Sequence, residues 1–337
     1  MKILLIRFSA IGDLILTTAP IRMLRQAYPE AEIDLVVREG LESLVAHNPH
    51  LTRIYTLPAS AGLRDIFSLA EKLNANRYDW IIDWQKHTKS YLLSWLVKGK
   101  IRRMRKYALQ RFFLVYFKKN YYRKIVPVPL RYLKALSVLN VPDDGKGLEF
   151  FVPAEEHQII LQKWPALGQP FWAFAPGGGG ATKRWPSRYF VELIQLFGQE
   201  IKKQAVLVGG PEDVPVCDFI EKELERDVLN LCGKTSLLQT AAVLEKSSGL
   251  VANDTGVLHL ASAFQKPVVA LFGPTVKEFG FFPFRTPNVV LEKSLPCRPC
   301  SFHGTAKCPL QHFACMANIL PQEVLEAIIH FEKVLFE

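Results

Sequence analysis

Short, uninterrupted apolar runs alternate with helical patterns along this chain, and that alternation leaves few folds open. Residues 3–6, 33–37, 54–57 and 79–84 read as strands, with a helix over 14–27 that stops at Tyr28-Pro29 and another from about Lys89. A strand that is apolar along its whole length has no solvent face, so it belongs in a parallel sheet with helices on both sides. After Pro153 the pattern restarts. Strands fall at 171–175, 205–208, 249–252 and 268–272, with helices over 186–197, from Ser236 to about Glu245, and from Gly256 to Phe264. Pro186 suits the first turn of its helix, and Ser236 with Gln239 has capping-box spacing. The chain closes on a helix over 322–336.

At 337 residues, 49% of them hydrophobic, the chain exceeds what one core usually takes in. The expected class is α/β, with two Rossmann-like parallel-sheet domains, 1–150 and 151–337, facing a cleft. The boundary is expected near 141–153, where residues 141–147 have linker-like composition. No apolar run reaches the about 18 residues of a membrane-spanning helix. The opening apolar run is broken by Arg7 and reads as a buried strand, not a secretory signal. The expected place is therefore the cytoplasm, where disulfides are rare.

Ligands of open parallel sheets bind beyond the carboxyl ends of the strands, so the loops there carry the chemistry. Phe8-Ser9-Ala10-Ile11-Gly12-Asp13 lacks GxGxxG but puts a carboxylate beside a helix start. Asp13 there either caps the helix or takes a proton from an attacking hydroxyl. The run Gly177-Gly178-Gly179-Gly180 leads into Thr182, Lys183 and Arg184. Glycines let backbone N–H groups approach an anion, and the hydroxyl and cations suit a pyrophosphate, although this is not a Walker A loop. A flexible surface loop is the other reading. Asn253-Asp254-Thr255-Gly256-Val257-Leu258-His259 is a further strand–loop–helix junction, whose free N–H groups face a phosphate or whose residues merely cap a helix. Glu212, in Gly209-Gly210-Pro211-Glu212-Asp213, either receives ribose hydroxyls or is solvated.

Cys297, Cys300, Cys308 and Cys315 are spaced C-x2-C-x7-C-x6-C. The first pair suggests zinc and the second lacks that spacing; a structural metal stays open, with His303 and His312 nearby as substitute ligands. The formal net charge of +10 points to an anionic partner. Residues 98–124 hold eleven Lys and Arg and no acidic residue, interleaved with aromatics. Such a stretch suits a membrane interface or is a solvated basic helix. No nucleic-acid-binding motif is visible.

Taken together, these loops resemble the heptosyltransferases of glycosyltransferase family 9, which build the inner core of lipopolysaccharide. The resemblance rests on Lys2-Ile3-Leu4-Leu5-Ile6-Arg7 with Gly12-Asp13, on Lys183-Arg184-Trp185-Pro186, and on Asn253 through Ala261 followed by Lys266 through Thr275. Asp83, Gln85, Lys89 and Ser90 match a further family run, and the cysteine run has counterparts in part of the family. It implies a GT-B fold, an ADP-heptose donor in the C-terminal domain, an acidic Kdo-lipid A or heptosylated acceptor in the N-terminal one, and inversion. Asp13 then matches the base. Thr182, Lys183, Glu212, Thr235, Asp254, Thr255, Gly256 and His259 match donor positions, with Lys183 offsetting charge on the leaving diphosphate. Lys89, Arg102, Arg103, Arg105 and Lys106 are expected to meet the acceptor or an anionic inner-membrane surface. No cofactor is implied. A nucleotide-sugar epimerase of similar architecture, or a transferase using another nucleotide sugar, is the alternative.

Overall fold

The computed structural model describes residues 1–224 and 227–336. The chain forms two compact units. Met1–Lys106 and Val126–Phe151 make the first; Tyr107–Ile125 and everything from Val152 onward make the second. The basic stretch expected within the first domain is therefore divided, and Tyr107–Ile125 packs with the second unit.

The first unit is a five-stranded parallel sheet of β1 (Lys2–Ile6), β2 (Glu32–Arg38), β3 (Arg53–Leu57), β4 (Trp80–Asp83) and β5 (Lys100–Arg103) in the order β3-β2-β1-β4-β5. The second is a six-stranded parallel sheet of β6 (Phe171–Ala175), β7 (Gln204–Leu207), β8 (Leu229–Asn230), β9 (Gly249–Asn253), β10 (Val268–Phe272) and β11 (Asn288–Glu292) in the order β11-β10-β9-β6-β7-β8. In both, the chain runs outward from the opening strand and then crosses to its other side. This leaves a switch point between β1 and β4 and another between β6 and β9, where such sheets bind ligands. The central strands are buried throughout: Ile3, Leu4, Leu5 and Ile6 are inaccessible, as are Phe171, Trp172, Ala173 and Phe174. That is why they read as continuous apolar runs.

The structure departs from the sequence reading in a few places. The helix expected over 14–27 is two helices, Ile11–Ile15 and Thr18–Ala27. At the break the Thr17 and Thr18 hydroxyls donate to the Leu14 and Ile15 carbonyls at 2.6 and 2.8 Å, offering that backbone a non-helical alternative. Pro186 precedes its helix, Ser187–Glu200, as the cap residue. The Ser236 capping box forms as expected, with Gln239 N to Ser236 Oγ and Ser236 N to Gln239 Oε1 both 3.1 Å. The edge strand β5 was hidden by its sequence Lys-Ile-Arg-Arg, since charged edges discourage further pairing. Among the described residues no helix is long and apolar enough to cross a membrane.

Candidate active site

The switch point of the first unit is organised around Asp13. Its carboxylate lies in the helix Ile11–Ile15, directly beyond β1, and accepts three contacts. Arg7 Nη2 is 2.5 Å from Oδ2, Ala10 N donates to the same oxygen at 3.3 Å, and Tyr132 Oη donates to Oδ1 at 3.1 Å. The capping and proton-accepting roles are thus compatible, because Asp13 reaches back to the helix start and still keeps 21% of its side chain exposed. Arg7 is itself fixed, donating to the Trp84 carbonyl at 2.8 Å. Burial works against its charge, but Tyr132 and Asp13 outweigh that and hold its pKa above the usual value. Burial pushes the Tyr132 phenol well up, so it stays a donor.

The loop beyond β4 locks onto the same place. Gln85 Oε1 accepts from Phe8 N at 3.1 Å, and buried Asp83 accepts from Gln85 N, Lys86 N and Ser90 Oγ at 2.7 to 3.0 Å. Two of the cations expected to meet the acceptor are tied to neighbours, although Arg103 is exposed. Arg103 donates to Ser94 Oγ at 2.8 Å and lies 3.4 Å from Asp83. Lys106 is half-buried and donates to the Lys86 carbonyl at 2.9 Å; burial lowers its pKa, and Arg7 nearby adds to the effect. Lys89 lies 3.4 Å from the Ala59 carbonyl, Arg102 covers the Trp80 ring at 5.7 Å, and Arg105 is exposed.

The second unit holds its switch point by laying loops against one another. Buried Asn253, at the end of β9, accepts from Trp185 N at 3.1 Å and donates to the Pro176 and Gly177 carbonyls at 2.9 Å. Gly177 is needed there: a Cβ would sit 2.1 Å from the Asp213 carboxylate. Arg184 is committed to this packing, with Nε donating to the Gly178 carbonyl at 3.0 Å and Nη2 lying 3.5 Å from Asp213. The nearby Lys183 ammonium lies 2.8 Å from Asp254, which also accepts from Thr275 Oγ1 at 2.7 Å. Thr182 is clasped from residue 305: its N and Oγ1 donate to the Thr305 carbonyl at 3.0 and 2.9 Å, and Thr305 N donates back at 2.7 Å. Thr255 caps the helix Gly256–Ala263, and its buried hydroxyl has no partner among the described residues.

Lys183, Thr182, Asp254, Thr255 and Gly256 are thus brought together, and His259 is buried one turn into that helix. Glu212 is exposed in the turn Pro211–Asp213, and Thr235 pairs with Thr240 at 2.9 Å beside the next helix start. Sequence reasoning missed Arg7, Tyr132, Thr275 and Thr305. Only Arg7 and Thr275 lie in quoted segments; Tyr132 and Thr305 come from far along the chain with no motif to mark them.

The cysteine run has an architectural use. Arg298, between Cys297 and Cys300, donates to the Gly273, Lys293 and Thr275 carbonyls at 2.5, 2.5 and 2.8 Å, tying the segment to the end of β10. All the cysteines are free; Cys297 Sγ is 3.8 Å from His312 Nε2, and burial with Cys300 nearby pushes the Cys315 thiol up to about 11. Among the described residues no three Cys, His, Asp or Glu side chains converge as a metal site.

A family model for "Glycosyltransferase family 9 (heptosyltransferase)" matches residues 66–310. A lipooligosaccharide heptosyltransferase 2 from Haemophilus influenzae is 26% identical over 306 residues, covering 83% of this chain and 85% of that protein. The crystal structure of a family 9 glycosyl transferase from Veillonella parvula superposes with a TM-score of 0.81 at 22% identity, covering 98% of this chain and 96% of that one. The ADP-heptose lps heptosyltransferase II of E. coli gives 0.76 at 23% identity, covering 98% of each chain. The fold is therefore the GT-B arrangement of Rossmann-like parallel-sheet units, and the chain belongs to glycosyltransferase family 9, the heptosyltransferases.

Proposed function

We propose that this enzyme moves a heptose from ADP-heptose to the inner core of lipopolysaccharide, on Kdo-lipid A or a heptosylated acceptor, with inversion at the anomeric carbon. The observation that carries the reading is the Asp13 carboxylate, restrained by Arg7 and Tyr132 yet still reachable, at the switch point of a family 9 chain. Asp13 takes the proton of the acceptor hydroxyl as its oxygen bonds to the anomeric carbon and the bond from that carbon to the diphosphate oxygen breaks. Lys183 and the helix start at Gly256 offset the charge that collects on the departing ADP. Asp254 and Thr275 aim Lys183, and Thr255 offers its unpartnered hydroxyl to the diphosphate. Thr182, whose own hydroxyl donates to the Thr305 carbonyl, holds the loop before Lys183, and Glu212 takes the ribose hydroxyls. Thr235 and His259 complete the donor side. Lys89, Arg102, Arg105 and Lys106 receive the acidic acceptor, and Arg103 holds Asp83 in place.

Two of the named relatives support the donor and acceptor, since one is an ADP-heptose lps heptosyltransferase and another a lipooligosaccharide heptosyltransferase. An acceptor of that kind is an anionic lipid, so the enzyme works as a peripheral protein on the cytoplasmic face of the inner membrane. The test is purified enzyme with ADP-heptose and a graded series of core acceptors. ADP release that requires an acceptor is the expected result. An altered nucleotide sugar formed without acceptor would instead establish the epimerase alternative.

A further inference from the structure

The arm Tyr107–Ile125 holds none of the residues given a role in the transfer above. Its helix, Ala108–Phe117, turns Leu114 and Val115 into the second unit, where they cluster with Phe279. The outward side is as apolar as the inward one. Leu109, Phe112, Tyr116 and Phe117 are 44 to 72% exposed, and Tyr121 extends the patch at 55%. The rings pack on each other, with centroids 4.9 Å apart for Phe112 and Tyr116. The platform is firmly seated. Lys118 Nζ donates to the Val115 and Pro299 carbonyls at 2.7 and 2.6 Å, and the Arg111 guanidinium lies 4.9 and 5.1 Å from the Phe279 and Phe302 rings. The exposed rings therefore cannot be tucked away by a small rotation of the helix. Exposed Lys119, Arg123 and Lys124 border them, and no acidic residue occurs from 98 to 124.

We propose that this face docks on an anionic bilayer, with the rings entering the boundary between headgroups and acyl chains and Lys119, Arg123 and Lys124 meeting the phosphates. Because the arm packs with the second unit, it is the unit carrying the proposed donor loops that is held at the surface. The proposal rests on the lipid-acceptor reading above for its purpose, and on the patch itself for its chemistry. A second copy of this chain fits the face poorly, since a two-fold contact would bring the same cations opposite each other. Single-stranded nucleic acid stacks its bases on splayed rings, whereas these rings pack against one another.

The full chain, the variant F112S/Y116S/F117S and the variant K119E/R123E/K124E are cosedimented with vesicles of phosphatidylcholine alone and with phosphatidylglycerol added, at low and high salt. The natural chain is expected to bind the anionic vesicles and to lose binding as salt rises. Loss of the rings should weaken binding by about tenfold or more, and reversal of the charges by on the order of a hundredfold. ADP affinity unchanged in both variants shows that they are folded. Binding equal in all three proteins, or indifferent to lipid charge, overturns the proposal. So does light scattering that shows a dimer for the natural chain and a monomer for the ring variant with vesicle binding unaltered. A chain that binds vesicles but glycosylates neither a lipid-bearing nor a delipidated core acceptor refutes the transfer reading alone; one that glycosylates them but ignores vesicles refutes the docking alone.

Discussion

In the first unit side chains converge on a single carboxylate, whereas in the second side chains pin the backbone of one loop to the next. Tyr132 meets Asp13 from 119 residues away, and Arg7 spans from β1 to the Trp84 carbonyl. In the second unit Asn253 stitches the Pro176 and Gly177 carbonyls to β9, and Gly177 lies so close to Asp213 that no side chain fits. The same strand order thus supports two kinds of site. The proposed base is one group whose direction matters, and it is served by a few strong contacts to a single carboxylate. The diphosphate proposed for the second unit is charge spread over many oxygens, and close-packed loops with N–H groups, a hydroxyl and a cation suit it.

The contrast can be broken most directly at Asp13. Asp13→Asn keeps the size and most of the contacts but removes the proton acceptor, so turnover should fall about 10²–10⁴-fold while calorimetry finds ADP affinity intact. Near-normal turnover would remove the first unit from the chemistry. Lys183→Ala should do the opposite. ADP affinity should weaken by about tenfold to a hundredfold, as for hydrogen bonds to charged groups, and an unchanged affinity would misplace the donor pocket.

Smaller effects sharpen the comparison. Gly177→Ala should lower stability by about 1–3 kcal/mol, as overpacking does, because its Cβ would meet Asp213 at 2.1 Å; Gly179→Ala, with nothing within 4 Å, is the control. Equal melting temperatures for the two would mean that the loop packing is loose. Tyr132→Phe removes one of the contacts to Asp13, so kcat should drop about fivefold to tenfold with the donor KM unmoved. A change in donor KM instead would mean that Tyr132 acts beyond Asp13.

The smallest effect is one of pH. Burial lowers the His50 pKa from 6.5, with Arg22 and Arg25 acting in the same direction, although Glu149 beside it pulls the other way. The unfolded chain then binds the proton more readily, so stability is lost as pH falls below about 6.5 and regained as it rises. His50→Gln should flatten that part of the melting profile; an unchanged slope would assign it elsewhere.

How much of this is legible in the sequence depends on how far each signal reaches. Strands such as Phe171–Ala175 and Val268–Phe272 are visible because burial on both faces writes a continuous apolar run. Asp13, Lys183 and Asp254 are visible because they stand at strand ends. Arg103 and Lys106 look like surface cations by composition, yet they bond to Ser94 and to the Lys86 carbonyl. Arg184 looks like a phosphate ligand and is bound to Gly178 and Asp213.

By itself, then, the sequence determined the central strands of both sheets and the polar loops that follow them, since periodicity and capping act over a few residues, but not the edge strands β5 and β11 or the two-residue β8. The tertiary structure alone decided that Tyr132 orients Asp13, that Thr305 clasps Thr182 across 123 residues, and that the basic arm leaves the first unit for the second. Those contacts depend on how whole elements pack, and no local spacing encodes where a helix surface will come to rest.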